Sequence, residues 1–495
     1  MRTTICYLLL TLTFLIGLQS ESLAQVEAAK KLNVVIVMTD EHNFRTLGCY
    51  RERMEKRQAY MWGPSVVETP NIDWIAKQGA MCTSFYATTP VCSPSRASFV
   101  SGLYPQATDV VTNNIPMNDR VVSFAETLSK NGYQTGFAGK WHLDGDGKPQ
   151  WEPKRKFGFA DNRFMFNRGH WKKFEISDSG PKVAAQKNNK PTYGVDDADE
   201  TSFATDFLMD RTIEFIDANR ERPFCYMLSL PDPHGPDTVR APYDTMYDDQ
   251  SFEKPTTYDV DERTIPKWGE PDRKAKFGQS KYYGMVKCID DNIGRLIAKL
   301  KSNDLLDQTI IVFTSDHGDL RGEHHRQNKG VAFEGSARIP FLVYYPGKIK
   351  PGTVVDQALT SVDFAPTLMR WLDVKSDQDF HGRDASPLFN GAGETWDDIA
   401  FVRGTGDQGG WLMAVSDRHK LVISTQDEPW LFDLERDPDE LINQRDNPGY
   451  REIVQKMGTA LRAYAVEFDD PRLSDKRVAT DLDWCAGRGK YSGRK

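Results

Sequence analysis

With 495 residues, 39% of them hydrophobic and 11% aromatic, the chain can bury a large core, and its composition excludes a disordered or multispanning membrane protein. Its formal net charge of -8 gives no support to a nucleic-acid partner, whose phosphates ask for a basic face, so any anionic ligand must be held by local groups. Length allows about two to four domains, or one large α/β unit with an appendage.

The first residues read as a secretory signal over 1–24. Arg2 precedes an apolar run from Ile5 to Leu18, and Ser22-Leu23-Ala24 sets small residues before a cut ahead of Gln25. The run is short for a span of about 20 residues, so the mature chain is expected to be exported, periplasmic or secreted, without stable membrane insertion.

Leu32 to Met38 is an apolar, β-branched strand ending in Thr39-Asp40-Glu41, and Thr309 to Thr314 repeats the pattern before Ser315-Asp316-His317. Two such runs predict a parallel sheet covered on both faces, with ligands held past its carboxyl ends. Between them, Asn71 to Gly79 reads as a helix leading to a strand around Thr83 to Ala87. Phe124 to Asn131 reads as a helix before the strand Gln134 to Ala138. Phe203 to Ala218 predicts a long helix, and Phe224 to Leu230 a buried strand ending in Pro231-Asp232-Pro233-His234. Asp144 to Lys190 shows no sustained period and reads as an irregular insertion, of the kind that often carries function.

Past Thr395 the segments shorten and alternate: Ile399 to Arg403, Trp411 to Ser416, Lys420 to Ser424 and Trp430 to Asp433. They predict a small antiparallel sheet, followed by a helix from Tyr450 to Phe468. Residues 25–393 are thus expected to form the main domain and 394–495 a C-terminal α+β subdomain. Of the seven cysteines, Cys6 leaves with the signal. Cys49, Cys82, Cys225, Cys288 and Cys485 read mostly as buried thiols, with room for one bridge.

The string CSPSRASFVSG begins at Cys92. Ser93 suits a helix N-cap and Pro94 the first helical position, which would set Cys92 and Arg96 at a helix N-terminus, a natural anion site. A lone cysteine there is more often a buried thiol. A second string, GYQTGFAGKWH from Gly132 to His142, places Lys140 and His142 just after a strand. Asp40, Glu41, Asp316 and His317 offer hard oxygens and one imidazole, a set for Ca²⁺ or Mg²⁺ rather than for a thiolate-preferring ion.

The two strings, in this order and spacing, resemble the signatures of the formylglycine-dependent sulfatases of the alkaline phosphatase superfamily. The resemblance implies a large, mixed, mostly parallel sheet between helices, with a smaller antiparallel sheet and a helix at the C-terminus. It implies that a formylglycine-generating or sulfatase-maturating enzyme oxidises Cys92 to formylglycine (3-oxoalanine). One divalent cation, Ca²⁺ before Mg²⁺, would then be held by Asp40, Glu41, residue 92, Asp316 and His317. Family members most often carry a second aspartate at position 41 and an asparagine at position 317.

His234 in PDPHGP and Lys329 in QNKGVAFEGSARIPF match the family's sulfate-binding residues. On that pattern the aldehyde hydrates, one hydroxyl attacks sulfur and expels an alcohol, and the other collapses the adduct to release sulfate. Lys140 and Lys329 would neutralise the sulfuryl oxygens, Arg96 and His142 support the diol, and His234, with Lys329 as rival, protonate the leaving oxygen.

The expected substrate is a sulfated carbohydrate: an algal polysaccharide such as ulvan, fucoidan or carrageenan ahead of glycosaminoglycans and choline sulfate. Trp151, Arg155, His170 and Trp171 would either bind sugar or pin the insertion, and His324 and His325 are loop residues within reach of substrate. The rival functions are a phosphomonoester or phosphonate hydrolase of the same superfamily and an exported glycan-binding protein without catalysis.

Overall fold

Asn33–Asp40 (β1) is buried along its whole length, as a strand apolar on both faces must be. It lies in the computed structural model, which describes residues 31–489 and 491 apart from 262–263, 273–276, 393–394 and 408–409. The expected signal falls outside the described residues. Among those described, no helix is long and apolar enough to cross a membrane.

The main sheet also contains Ala80–Cys82 (β2), Gln134–Lys140 (β3), Asp161–Phe166 (β4), Phe224–Pro233 (β5), Thr309–Ser315 (β6), Phe341–Tyr344 (β7) and Thr353–Val355 (β8). Its order is β8-β2-β7-β6-β1-β5-β3-β4, and only β7 runs against the others. The sheet is therefore mixed and mostly parallel, as expected. Two readings change. The strand placed around Thr83 to Ala87 resolves into β2 and the short Phe85–Tyr86. The supposedly irregular insertion supplies β4, which pairs with β3, and two hairpins, Phe174–Ser177 with Gly180–Val183 and Gln186–Lys187 with Lys190–Pro191.

One sheet face, with Val35, Val37, Tyr226, Leu228, Ile311 and Phe313, packs on Pro70–Gln78 (α1), Ala204–Asn219 (α4) and Ser280–Ser302 (α5). On the other side stand Cys92–Ser101 (α2) and Phe124–Lys130 (α3), where Phe99 stacks on Phe364 at 4.1 Å and Phe124 meets Phe159 edge to face. The C-terminal meander of Ala400–Arg403 (β9), Trp411–Val415 (β10), His419–Ser424 (β11) and Trp430–Asp433 (β12) is antiparallel. Leu412, Leu421 and Ile423 face Arg451–Glu467 (α6) and Lys476–Cys485 (α7). Met413, Val422 and Phe432 share a core with Leu320, Val331 and Phe333 of the segment after β6. All six described cysteines are free and buried, so none of them forms the bridge the sequence left room for.

Candidate active site

Four adjacent parallel strands, β6, β1, β5 and β3, end on one side of the sheet and deliver Asp316-His317, Asp40-Glu41, His234 and Lys140 there. The backbone locks the two central ends together: Asp316 N–H donates to the Thr39 carbonyl at 3.1 Å, and His42 N–H to the His317 carbonyl at 3.1 Å. Helix α2 brings Cys92 to the same place at its first turn. The capping differs from expectation. Val91 is the N-cap and Cys92 the first helical residue, because the Ser93 hydroxyl donates instead to the His142 carbonyl at 2.7 Å and so ties α2 to the turn after β3.

Cys92 Sγ lies 3.2 Å from His317 Nε2, 3.5 Å from Lys140 Nζ and 3.8 Å from Asp40 Oδ1. Burial pushes the thiol pKa up, but Lys140, Lys329 and His317 outweigh it and hold the group well below the usual thiol range. Arg96 is fully buried and spends its guanidinium on the carboxylates: Nε on Asp316 Oδ2 at 2.9 Å and Nη2 on Asp40 Oδ2 at 3.3 Å. Its Nη1 donates to the Lys140 carbonyl at 2.7 Å and to Ser229 Oγ at 2.6 Å. Arg96 therefore braces the acidic pair, with Cys92 also within its field.

Asp40, Asp316, His317 and Cys92 each turn one donor atom toward a common point. His317 Nδ1 donates to the Gly318 carbonyl at 3.0 Å, which leaves Nε2 facing that point. Burial lowers the His317 pKa, yet Asp316 raises it further, to about 9, so the carboxylates draw a positive charge into their midst. Oxygen donors, an oriented imidazole and this demand for charge fit a divalent cation.

Glu41, expected among the ligands, stands apart from that group. At φ 63 its backbone is left-handed, and its carboxylate pairs with His234 Nε2 at 3.0 Å and with Lys329 Nζ at 3.0 Å. Burial raises the Glu41 pKa, but His234 and Lys329 hold it well below the carboxylate range. Lys329 and His234 also meet directly at 2.7 Å. Burial works against the Lys329 ammonium, but Glu41 wins and pushes its pKa well up.

His142 approaches from the other side, with its pKa lowered by burial to about 4 and therefore neutral. Asn114 Oδ1 stands 3.2 Å from Nε2 and accepts its hydrogen, which leaves the lone pair on the buried Nδ1, while the imidazole also interacts with Cys92.

One neighbour was expected only as a sugar contact or loop pin of the insertion, not beside Lys140. His170, on the segment after β4, stacks on His234 with ring centroids 3.4 Å apart and lies 2.9 Å from Lys140 Nζ. Burial, Lys140 and His234 together hold it well below the usual imidazole range. Its signal in the sequence was only a histidine inside an apparently aperiodic stretch. The other insertion residues pin the chain: Trp151 meets Phe166 and Phe174 edge to face, Trp171 Nε1 donates to the Arg168 carbonyl, and Arg155 pairs with Asp119 and Asp144. His324 stacks on Phe333 and His325 on Tyr258.

The chain matches the sulfatase family model over residues 32–374 and the model of the C-terminal region of N-sulphoglucosamine sulphohydrolase over residues 322–467. It is 27% identical over 486 residues to the ulvan-active sulfatase of Formosa agariphila, covering 95% of this chain and 88% of that one. It is 26% identical to the N-acetylglucosamine-6-O-sulfatase of Bacteroides thetaiotaomicron, over 77% and 76% of the two chains. A protein solved with its substrate D-glucosamine-2-N,6-O-disulfate shares the fold at a TM-score of 0.74 and 21% identity, over 90% of this chain and 100% of that one. The phosphonate monoester hydrolase of Agrobacterium radiobacter does so at 0.67 and 22%, over 91% and 97%. A helix-borne Cys92 among paired carboxylates and converging cations thus sits inside a family match spanning most of the chain, which belongs to the sulfatases and is a sulfuric ester hydrolase.

Proposed function

We propose that this sulfatase removes sulfate from a sulfated carbohydrate, with ulvan or its oligosaccharides as the first substrate to test, after export through the signal over 1–24 and conversion of Cys92 to formylglycine. The observation that carries the reading is the position of Cys92. It stands at the start of α2, against the Asp40, Asp316 and His317 donors, with Lys140, Lys329 and His234 nearby to receive an anion. The ulvan-active relative, aligned over 95% of this chain, supports the substrate class.

Formylglycine at position 92 would offer two geminal hydroxyls in place of one thiol. A divalent cation, Ca²⁺ before Mg²⁺, would be held by Asp40, Asp316 and His317 with residue 92 and would supply Lewis-acid charge beside those hydroxyls. The protein's own groups divide the rest. Lys140 and Lys329 hold the sulfuryl oxygens in a water-poor pocket where fixed charge acts strongly. His142, neutral and beside residue 92, accepts a proton there. His234 holds the proton destined for the leaving oxygen. Lys329, whose ammonium Glu41 holds charged, is its rival.

Release of sulfate from a panel of defined oligosaccharides of ulvan, carrageenan and glycosaminoglycans, run beside aryl sulfate and aryl phosphate, tests the assignment. Turnover of ulvan oligosaccharides and aryl sulfate is expected. Faster turnover of aryl phosphate would replace it with the phosphomonoesterase reading, and activity on glycosaminoglycans alone would move the substrate class.

A further inference from the structure

Asp40 and Asp316 each give one oxygen to Arg96 and keep the other turned inward, so the cluster presents two oxygens, one imidazole nitrogen and one sulfur. From His317 Nε2 the distances are 3.2 Å to Cys92 Sγ, 3.5 Å to Asp316 Oδ1 and 3.6 Å to Asp40 Oδ1; Sγ to Asp40 Oδ1 is 3.8 Å. A tetrahedral Zn²⁺ with bonds of about 2.0 to 2.3 Å has ligand-to-ligand edges of about 3.3 to 3.6 Å. These four of the six edges bracket that range, and all four donor atoms lie within 4.8 Å of one another.

We propose that the unmodified chain, with residue 92 still a cysteine, closes a tetrahedral site for a thiophilic divalent cation of the Zn²⁺ class. The ligands are Cys92 Sγ, His317 Nε2 and the Oδ1 atoms of Asp40 and Asp316. Binding forms four metal–ligand bonds, and the protons held on His317 Nε2 and on any remaining Cys92 thiol leave to solvent. Sulfur and nitrogen favour zinc over Ca²⁺, which gathers six to eight oxygens. The surroundings keep the donors in place: Arg96 orients both carboxylates, and the Gly318 carbonyl fixes the His317 tautomer. Lys140, 3.5 Å from Sγ, and Lys329 are cations that oppose the ion, and Lys140 is engaged by Asp40 Oδ2, the oxygen that Asp40 does not offer to the metal. With all four positions filled by protein, the ion has no open position for a ligand, as in structural zinc sites. The unmodified form is thus locked, with its thiol masked. This inference needs only Cys92 as a thiol and stands whether or not the substrate reading holds.

The test uses the full chain produced without a maturating enzyme, its Cys92 shown by mass spectrometry to be unoxidised. Titration with Co²⁺ is expected to give the intense visible bands of a tetrahedral ion and a thiolate-to-cobalt charge-transfer band, both removed by equimolar Zn²⁺. Cys92→Ser should abolish the charge-transfer band and weaken Zn²⁺ binding at least about tenfold, and Asp40→Asn should weaken it similarly. X-ray absorption at the zinc edge reads the same point on the unaltered chain, with one sulfur among four ligands. Weak octahedral cobalt bands, a charge-transfer band that survives Cys92→Ser, or a zinc shell without sulfur would each overturn the proposal.

Discussion

Glu41 occupies left-handed backbone at φ 63, which costs a non-glycine residue about 1 to 2 kcal/mol, and the conformation aims its carboxylate at His234 and Lys329. Glu41→Gln is therefore expected to leave bound metal unchanged by elemental analysis while lowering kcat about tenfold or more, because His234 loses its partner. Asp40→Asn should lose the metal. His170 touches Lys140, stacks on His234 and lies 3.9 Å from Asp40 Oδ2, so His170→Ala should raise KM roughly tenfold with a smaller change in kcat. Cys92→Ala should cost about 10⁴-fold or more in turnover and leave the thermal midpoint within a few degrees; near-normal turnover would sink the covalent reading.

The elements decide how accurately these residues meet. Gly139, next to Lys140 at the end of β3, has φ +103, and a Cβ there would lie 1.8 Å from the Ser229 carbonyl oxygen of β5. Gly139→Ala is expected to cost more than about 3 kcal/mol by denaturant titration and to abolish activity, since β3 cannot keep its register beside β5. From α5, the Tyr282 hydroxyl donates to the Glu41 carbonyl and accepts from Asn43 N–H, both at 2.9 Å, and so fixes the turn that carries Glu41. Tyr282→Phe strands a buried N–H and should cost about 1 to 3 kcal/mol.

The strands that carry the site were legible because each is an apolar run followed by charged residues, as at Val37 to Glu41 and Phe313 to His317. β4 was not legible: Asp161, Asn162 and Arg163 give an edge strand too little apolar pattern, and pairing with β3 supplies the order instead. Lys140 and His234 could be placed from their strands. The stacking of His170 could not, because it depends on where a loop returns in space. The pairing of Glu41 with His234 and Lys329 was hidden for a related reason: it depends on a left-handed backbone and on two residues far along the chain.

At the scale of the molecule, buried titrating groups oppose one another. Burial lowers His42 and His324 from 6.5 to about 3, so the unfolded chain takes up those protons first. Their contribution to stability is complete above pH 6.5 and is lost as pH falls toward 3. Burial raises Glu323 and Glu440 from 4.5 to about 7, so their contribution is complete below pH 4.5 and is lost as pH rises through 7. The two pairs offset each other between pH 4.5 and 6.5. The thermal midpoint should be level across that interval and fall on both sides, and His324→Gln should flatten the acid limb. A different consequence follows from the distance along the chain between the site's parts. Cys92 is 2% exposed once folded, and its neighbour His317 is 225 residues downstream. At about 5 to 20 residues per second, the ribosome needs roughly 10 to 45 seconds to travel from one to the other. Until β6 has emerged the pocket has no far wall, so for the conversion of Cys92 proposed above the clock of protein synthesis, rather than the finished surface, would set the interval in which another enzyme reaches the cysteine.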